Sequence, residues 1–108
     1  MSFLKNENIK TMYESTGNEG CLASNRITID GKKVGYMYRE IPDSSSKFPD
    51  SGWRFFAGDE TEEYTDNPDN FNVFKLNTIC NYDSDIVDLL DSPYGSAYIR
   101  QGNRFIKD

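Results

Sequence analysis

Apolar residues recur with a period of two in several short stretches of the chain and with helical spacing in one. The strongest alternation is Trp53-Arg54-Phe55-Phe56-Ala57, bracketed by Gly52 and Gly58. Trp53, Phe55 and Ala57 point one way and Arg54 and Phe56 the other, as strand geometry requires. Large apolar groups on both sides predict a central strand. Phe71 to Leu76, Tyr94 to Arg100 and Arg104 to Ile106 read as further strands. Asp30-Gly31 is a two-residue turn signal, because both positions tolerate positive φ. It predicts a hairpin over Gly20 to Glu40. Ile29 would face Lys32, Ile27 would face Val34, Asn25 would face Tyr36 and Ala23 would face Tyr38, with Leu22 and Met37 on the opposite side.

Helical spacing is clearest at Ile86, Leu89 and Leu90, which gives a short helix over Asp83 to Leu90. Asp83 is suited to the N-cap and Asp85 to the first turn. Ser92-Pro93 ends the helix. Asp88 and Asp91 stand near its C-terminus, where the helix dipole disfavours each anion by about 0.3–1 kcal/mol. The segment after Gly58 predicts a helical turn before Asn67-Pro68. Pro42 to Ser51 is a polar loop, and Asn77 to Tyr82 a connector. Phe3, Leu4, Ile9, Met12 and Tyr13 repeat only weakly, so residues 1–18 read as an arm or marginal helix. The sum is an α+β fold: a small, mostly antiparallel sheet of about five strands with one or two short helices. Residues 19–108 would form a single domain.

Composition narrows the chemistry. At 108 residues, one domain is expected, able to bury roughly two-thirds of its unfolded surface without metals or disulfides. Seven Phe, seven Tyr and one Trp predict an aromatic core. No apolar run approaches the ~18 residues of a membrane span, and Met1 to Ser15 lacks a signal-peptide core, so a cytoplasmic address is expected. The chain contains no histidine, which removes Ser-His-Asp and Cys-His catalysis and histidine-ligated zinc. Cys21 and Cys80 cannot form a four-thiolate site and read as buried free thiols.

The net charge of −6 is localised. Asp59, Glu60, Glu62, Glu63, Asp66 and Asp69 follow one another without a basic residue, and without them acids and bases balance. Asp83, Asp85, Asp88 and Asp91 form a second acidic run. Such a field repels phosphates and steers basic partners, so nucleic acid is not an expected ligand. Paired carboxylates could serve glycoside hydrolysis or a divalent cation. The spacing of a calcium loop is absent, however, and Val87 stands where a third ligand would be needed after Asp83 and Asp85. No catalytic residue, metal site or cofactor is assigned. The ordinary reading of an acidic run is a solvated surface; the functional one is a docking face for a basic partner. Trp53 and Tyr64 are either core residues or aromatic anchors beside it. Arg39 and Arg54 could bind an anion or pair with nearby carboxylates.

Gly35-Tyr36-Met37-Tyr38-Arg39, Asp50-Ser51-Gly52-Trp53-Arg54-Phe55-Phe56, Gly58-Asp59-Glu60 and Glu63-Tyr64 resemble immunity protein family thirty-three of bacterial polymorphic toxin systems. Leu76 to Ile79, Asn81 to Asp83 and Pro93 to Tyr98 add to the likeness, which covers about Gly20 to Arg100. The resemblance implies a cytoplasmic α+β protein that binds and neutralises a cognate protein toxin without catalysis. The expected partner-binding residues are Trp53, Asp59, Glu60, Glu62, Glu63, Tyr64, Asp66, Asp88 and Asp91, and a basic, nuclease-like toxin suits their charge. A small carboxylate enzyme or ligand-binding domain is the first alternative. A stand-alone structural or regulatory domain with Trp53 in its core, a homodimer being one form of it, is the second.

Overall fold

The computed structural model describes residues 9–14, 19–42, 45 and 48–108. Its strands are β1 (Gly20–Ser24), β2 (Tyr36–Arg39), β3 (Asp50–Phe56), β4 (Phe71–Lys75), β5 (Ala97–Gln101) and β6 (Arg104–Lys107). The helices are α1 (Asn25–Thr28), α2 (Glu62–Asp66) and α3 (Leu76–Tyr82), with 3₁₀ segments at Pro68–Asn70 and Ser84–Leu89. The six strands form one sheet in the order β4-β1-β3-β2-β5-β6. β3 is central, as its two apolar faces predict. It pairs in parallel with β1 and antiparallel with β2. The sheet is therefore mixed and larger than expected, and the short helices are more numerous.

The expected Gly20–Glu40 hairpin does not form. Ser24 has extended backbone angles, and its hydroxyl accepts from Arg26 N at 3.2 Å, which caps α1 instead of continuing the strand. Gly31 does adopt a positive φ of 77°, but in a turn that closes α1, with Asp30 N bonded to Asn25 O and Lys32 N to Arg26 O. Ile27 and Val34 are both fully buried, yet they meet in the core and not across a ladder. Gly31 supplies the expected positive φ but Asp30 does not, so the two-residue hairpin turn is absent along with its flanking ladder. A local signal fixes φ; it does not choose the partner strand.

The core lies on one side of the sheet. Cys21, Ala23, Met37, Trp53 and Phe55 supply the sheet's share. Ile27 of α1, Leu76, Ile79 and Cys80 of α3, and Ile86 and Leu90 cover them. Each large apolar side chain withdrawn in this way stabilises the fold by about 1.5–3 kcal/mol. The Trp53 ring stacks on Phe55 with centroids 6.0 Å apart, and its Nε1 donates to Leu90 O at 3.1 Å. The indole thus ties the central strand to the end of the 3₁₀ helix. α3 replaces the expected connector: Leu76, Ile79 and Cys80 share one buried helical face despite the poor helix formers between them.

Asp83 caps the 3₁₀ helix as expected, accepting from Asp85 N at 3.0 Å. It is also a buried anchor, taking Val34 N and the Arg100 guanidinium on its other oxygen. Residues 9–14 of the expected arm adopt neither helix nor strand. Their main chain is held by α3: Asn81 Oδ1 accepts from Lys10 N at 2.8 Å, and Asn77 Oδ1 from Met12 N at 2.7 Å. The rest of residues 1–18 lies outside the described residues. No helix among the described residues is long and apolar enough to cross a membrane.

Candidate functional site

The face of the sheet opposite the core is aromatic. Register places Tyr36 beside Phe56 and Tyr38 beside Arg54, with Leu22 also beside Arg54. The rings of Tyr36, Tyr38 and Phe56 form a near-equilateral set, with centroids 5.8, 5.9 and 6.1 Å apart. Phe56 meets Phe71 edge-on at 5.6 Å, and Phe71 meets Tyr64 of α2 at 6.2 Å. Tyr36, Tyr38, Phe56, Phe71 and Tyr64 are each only partly buried. Two hollows open between this face and α2. One, of about 260 Å³, is lined by Tyr36, Tyr38, Phe56, Gly58, Glu60 and Thr65. The other, of about 220 Å³, shares Tyr38, Phe56 and Thr65 with it and reaches Glu40 and Arg54.

Local chemistry sets α2 where it is. Gly58, at a φ of 97°, lets the chain turn off β3. The Glu60 carboxylate closes that turn by accepting from Ala57 N at 2.8 Å and Gly58 N at 2.9 Å. Thr61 then caps α2, its hydroxyl accepting from Tyr64 N at 3.0 Å. Glu62 and Glu63 occupy the first turn, where the backbone N–H groups favour anions. Asn67-Pro68 ends the helix, and Asn70 Nδ2 donates to Tyr64 O at 2.9 Å, which keeps the ring over Phe71.

Three arginines pair with six carboxylates, two each. Arg26 binds Asp30 and Asp59. Arg100 binds Asp83 and Asp85 and lies over the Phe105 ring. Arg54 binds Asp50 through both Nη atoms, at 2.9 and 2.8 Å, and Glu40 through Nε at 2.7 Å. Burial pushes the Asp50 carboxyl up, but hydrogen bonds from Arg54 and Gly52 N outweigh it and hold its pKa below the ordinary value. Burial, reinforced by Glu40, raises the Tyr38 phenol. Among the described residues, Arg39 pairs with no carboxylate. It donates to Ser51 O and Ser92 O, with its guanidinium 4.5 Å from the Tyr94 ring centroid. Among the described residues, Glu60, Glu62, Glu63, Asp66 and Asp69 have no ion-pair partner. The largest run of uncompensated charge lies on α2 and its flanks, beside the aromatic hollows, while Asp88 and Asp91, also without an ion pair among the described residues, lie on the other side of the sheet.

The expected partner-binding residues therefore separate into groups. Glu60, Glu62, Glu63, Tyr64 and Asp66 come together at one edge of the aromatic face. Trp53 does not join them: it is 0% exposed, its side chain pointing into the core. Alternation along β3 already put it opposite Arg54 and Phe56, and burial on that side removes it from the surface. Asp59 is exposed but held by Arg26, a partner 33 residues upstream. Asp88 and Asp91 are exposed on the layer that covers the core face, across the sheet from α2, and Asp91 accepts from Tyr13 Oη at 2.9 Å. Tyr36, Tyr38 and Phe56 were not expected in the site. Their signal was the shared parity of Tyr36 and Tyr38 around Met37, and of Phe56 with Arg54. No group of three or more His, Cys, Asp or Glu among the described residues could hold a metal ion. Cys21 and Cys80 are free and buried.

A family model described as Immunity protein Imm33 domain matches residues 21–107. The chain belongs to the Imm33 immunity protein family. The match runs through β2, β3, α2 and β4, so the aromatic face and its acidic border both lie within the Imm33 domain. Gly35–Arg39 and Asp50–Glu60, which carry the motif resemblance, lie within the matched range. Membership implies a toxin-neutralising role and, in general, a cognate toxin as partner. No curated protein and no solved structure matches the chain.

Proposed function

We propose that this Imm33 protein is a non-catalytic inhibitor that captures a basic protein toxin on the acidic edge of its aromatic sheet face. The observation that carries the reading is the distribution of unpaired charge. Elsewhere on the described surface, Arg26, Arg54 and Arg100 each bind two carboxylates, and Asp88 and Asp91 stand apart on the opposite side of the sheet. Around α2, Glu60, Glu62, Glu63, Asp66 and Asp69 are left uncompensated next to partly exposed Tyr36, Tyr38, Phe56 and Tyr64. Carboxylates of this kind steer a cationic partner and raise its association rate, while desolvated aromatics slow its departure. A nuclease toxin, whose substrate-binding face is basic, suits this field, and masking that face would stop the toxin without any chemistry by the inhibitor. Residues 19–108 would act as one immunity domain in the bacterial cytoplasm, where a polymorphic toxin of a neighbouring cell arrives.

Growth rescue tests the reading. Toxin-like reading frames encoded beside the gene are induced singly in a bacterial host, with and without this chain. One of them should be neutralised. Combined Glu62→Lys, Glu63→Lys and Asp66→Lys substitutions should abolish rescue while circular dichroism stays unchanged, because all three side chains are exposed. Undiminished rescue by the triple variant would remove the acidic edge from the mechanism.

A further inference from the structure

We infer that the hollow between Tyr36, Tyr38, Phe56 and Glu60 is a receptor for a single arginine side chain presented by the partner. The inference rests on the toxin-capture reading above and gives it a chemical anchor.

Three features of the hollow converge on a guanidinium. The first is the set of three rings within 6.1 Å of one another, which supplies π faces and edges at one spot on the sheet. Cations are drawn to such faces, and arginine also stacks on them through its planar group. The second is Glu60. Both its oxygens are fixed by Ala57 N and Gly58 N, so the carboxylate is held in place with lone pairs to spare and no cation of its own. A fork-shaped donor matches a fixed carboxylate better than a point charge does. The third is the floor beside the hollow. Arg54 is shared by two carboxylates, Asp50 and Glu40, so this triad is net negative and does not repel an incoming cation. An uncharged apolar side chain would satisfy the rings and strand Glu60 against them. An anion would face Glu60 and Glu40 together. Thr65 of α2, which lines both hollows, offers a hydroxyl at their junction.

The test needs no toxin. The isotopically labelled full chain is titrated by NMR with three capped pentapeptides of the form Gly-Gly-Xaa-Gly-Gly, in which Xaa is arginine, lysine or norleucine. The arginine peptide should shift the ring signals of Tyr36, Tyr38 and Phe56 and the Thr65 amide along one saturable curve. Loss of the cation–π and carboxylate contacts should weaken the norleucine peptide by about ten-fold or more. Glu60→Gln and Tyr36→Leu should each weaken the arginine peptide by at least about two- to five-fold. Glu60→Gln keeps one of the two acceptors that close the Gly58 turn, and Tyr36→Leu keeps an apolar strand residue, so both should fold. Equal shifts from norleucine would overturn the inference, as would a lysine peptide binding as tightly as the arginine one, shifts confined to Glu62, Glu63 and Asp66, or no saturable shift at the rings. Growth rescue separates the two claims. A failed titration with rescue still sensitive to the α2 charge reversals sinks the arginine receptor alone. A successful titration with no neutralised toxin sinks the toxin reading and leaves the receptor standing.

Discussion

Replacing Asp50 with Ala should cost about 3 kcal/mol of folding stability. The carboxylate accepts two hydrogen bonds from Arg54 and one from Gly52 N at 2.8 Å, and its side chain is 5% exposed. The Arg54 side chain is 10% exposed. Truncation leaves that guanidinium with Trp53 O at 3.0 Å and with Glu40, whose side chain is half exposed. Removing one partner of a buried pair typically costs about 3–5 kcal/mol, because the other charge stays behind without compensation. Glu40 remains as partial compensation, which sets the expectation at the low end. Urea unfolding followed by Trp53 fluorescence should show a lower midpoint with an unchanged slope. The melting temperature should fall by about 12 °C or more, at roughly 4 °C or more per kcal/mol for a domain near this size. Glu40→Gln, which breaks the exposed half of the triad, should cost less than about 1 kcal/mol. Asp50→Ala with Arg54→Met should be more stable than Asp50→Ala alone, since no charge is then stranded. A loss below about 1 kcal/mol for Asp50→Ala, or a double variant no better than the single one, would refute the claim that this pair acts as a buried unit.

The same carboxylate gives a pH dependence. Its folded pKa is depressed, so its contribution is fully present above the unfolded value of about 3.9 and is lost as pH falls through the lower, folded value. Acid unfolding monitored below about pH 4 should therefore flatten in Asp50→Asn. Burial pushes the Cys80 thiol up to about 11 and the Cys21 thiol further still. At about pH 8, a thiol-reactive dye should label neither cysteine in the native protein and both in denaturant. Rapid native labelling would contradict the core placement. Trp53→Phe should cost about 2–4 kcal/mol by urea titration, since it opens space in the core and leaves Leu90 O without its 3.1 Å donor. A cost below 1 kcal/mol, or strong iodide quenching of native Trp53, would place the indole elsewhere.

Much of this architecture could be read from the chain because it depends on local rules. The alternation at Trp53 to Ala57 identified a strand covered on both faces, and the Asp83 cap and the Ile86–Leu90 spacing located the 3₁₀ helix. The run of carboxylates after Gly58 identified the acidic edge. What could not be read was long-range pairing. β1 finds its parallel partner in β3, with Leu22 beside Arg54 and Ala23 beside Phe55, and no turn residue encodes such a pairing. The Asp30-Gly31 signal filled that gap with a hairpin. α3 was missed because Asn77, Thr78 and Asn81 have poor helix propensity, and burial of Leu76, Ile79 and Cys80 overrode it. The asparagines have a different use here: both grip the main chain at Lys10.

The site was half legible for the same reason. Acid runs are visible in one dimension, but their neutralisation is not. Asp59 belongs to the acidic run in sequence and to Arg26 in space, and that pairing decides which carboxylates remain available. The aromatic hollow needs two strands, the turn after β3 and a helix brought together. Here the site is tied to the core by strand parity. Met37 sits between Tyr36 and Tyr38, and it packs beside Phe55 while the two tyrosines flank Phe56. A slip of one residue in β2 would expose Met37 and drive both tyrosines inward, so every interaction that buries Met37 also presents the tyrosines. The face next to the acids is therefore held in place by the hydrophobic effect on the opposite side of the sheet. A conservative core change such as Met37→Leu should leave the aromatic face intact, whereas a polar residue there would remove the bias that fixes the register.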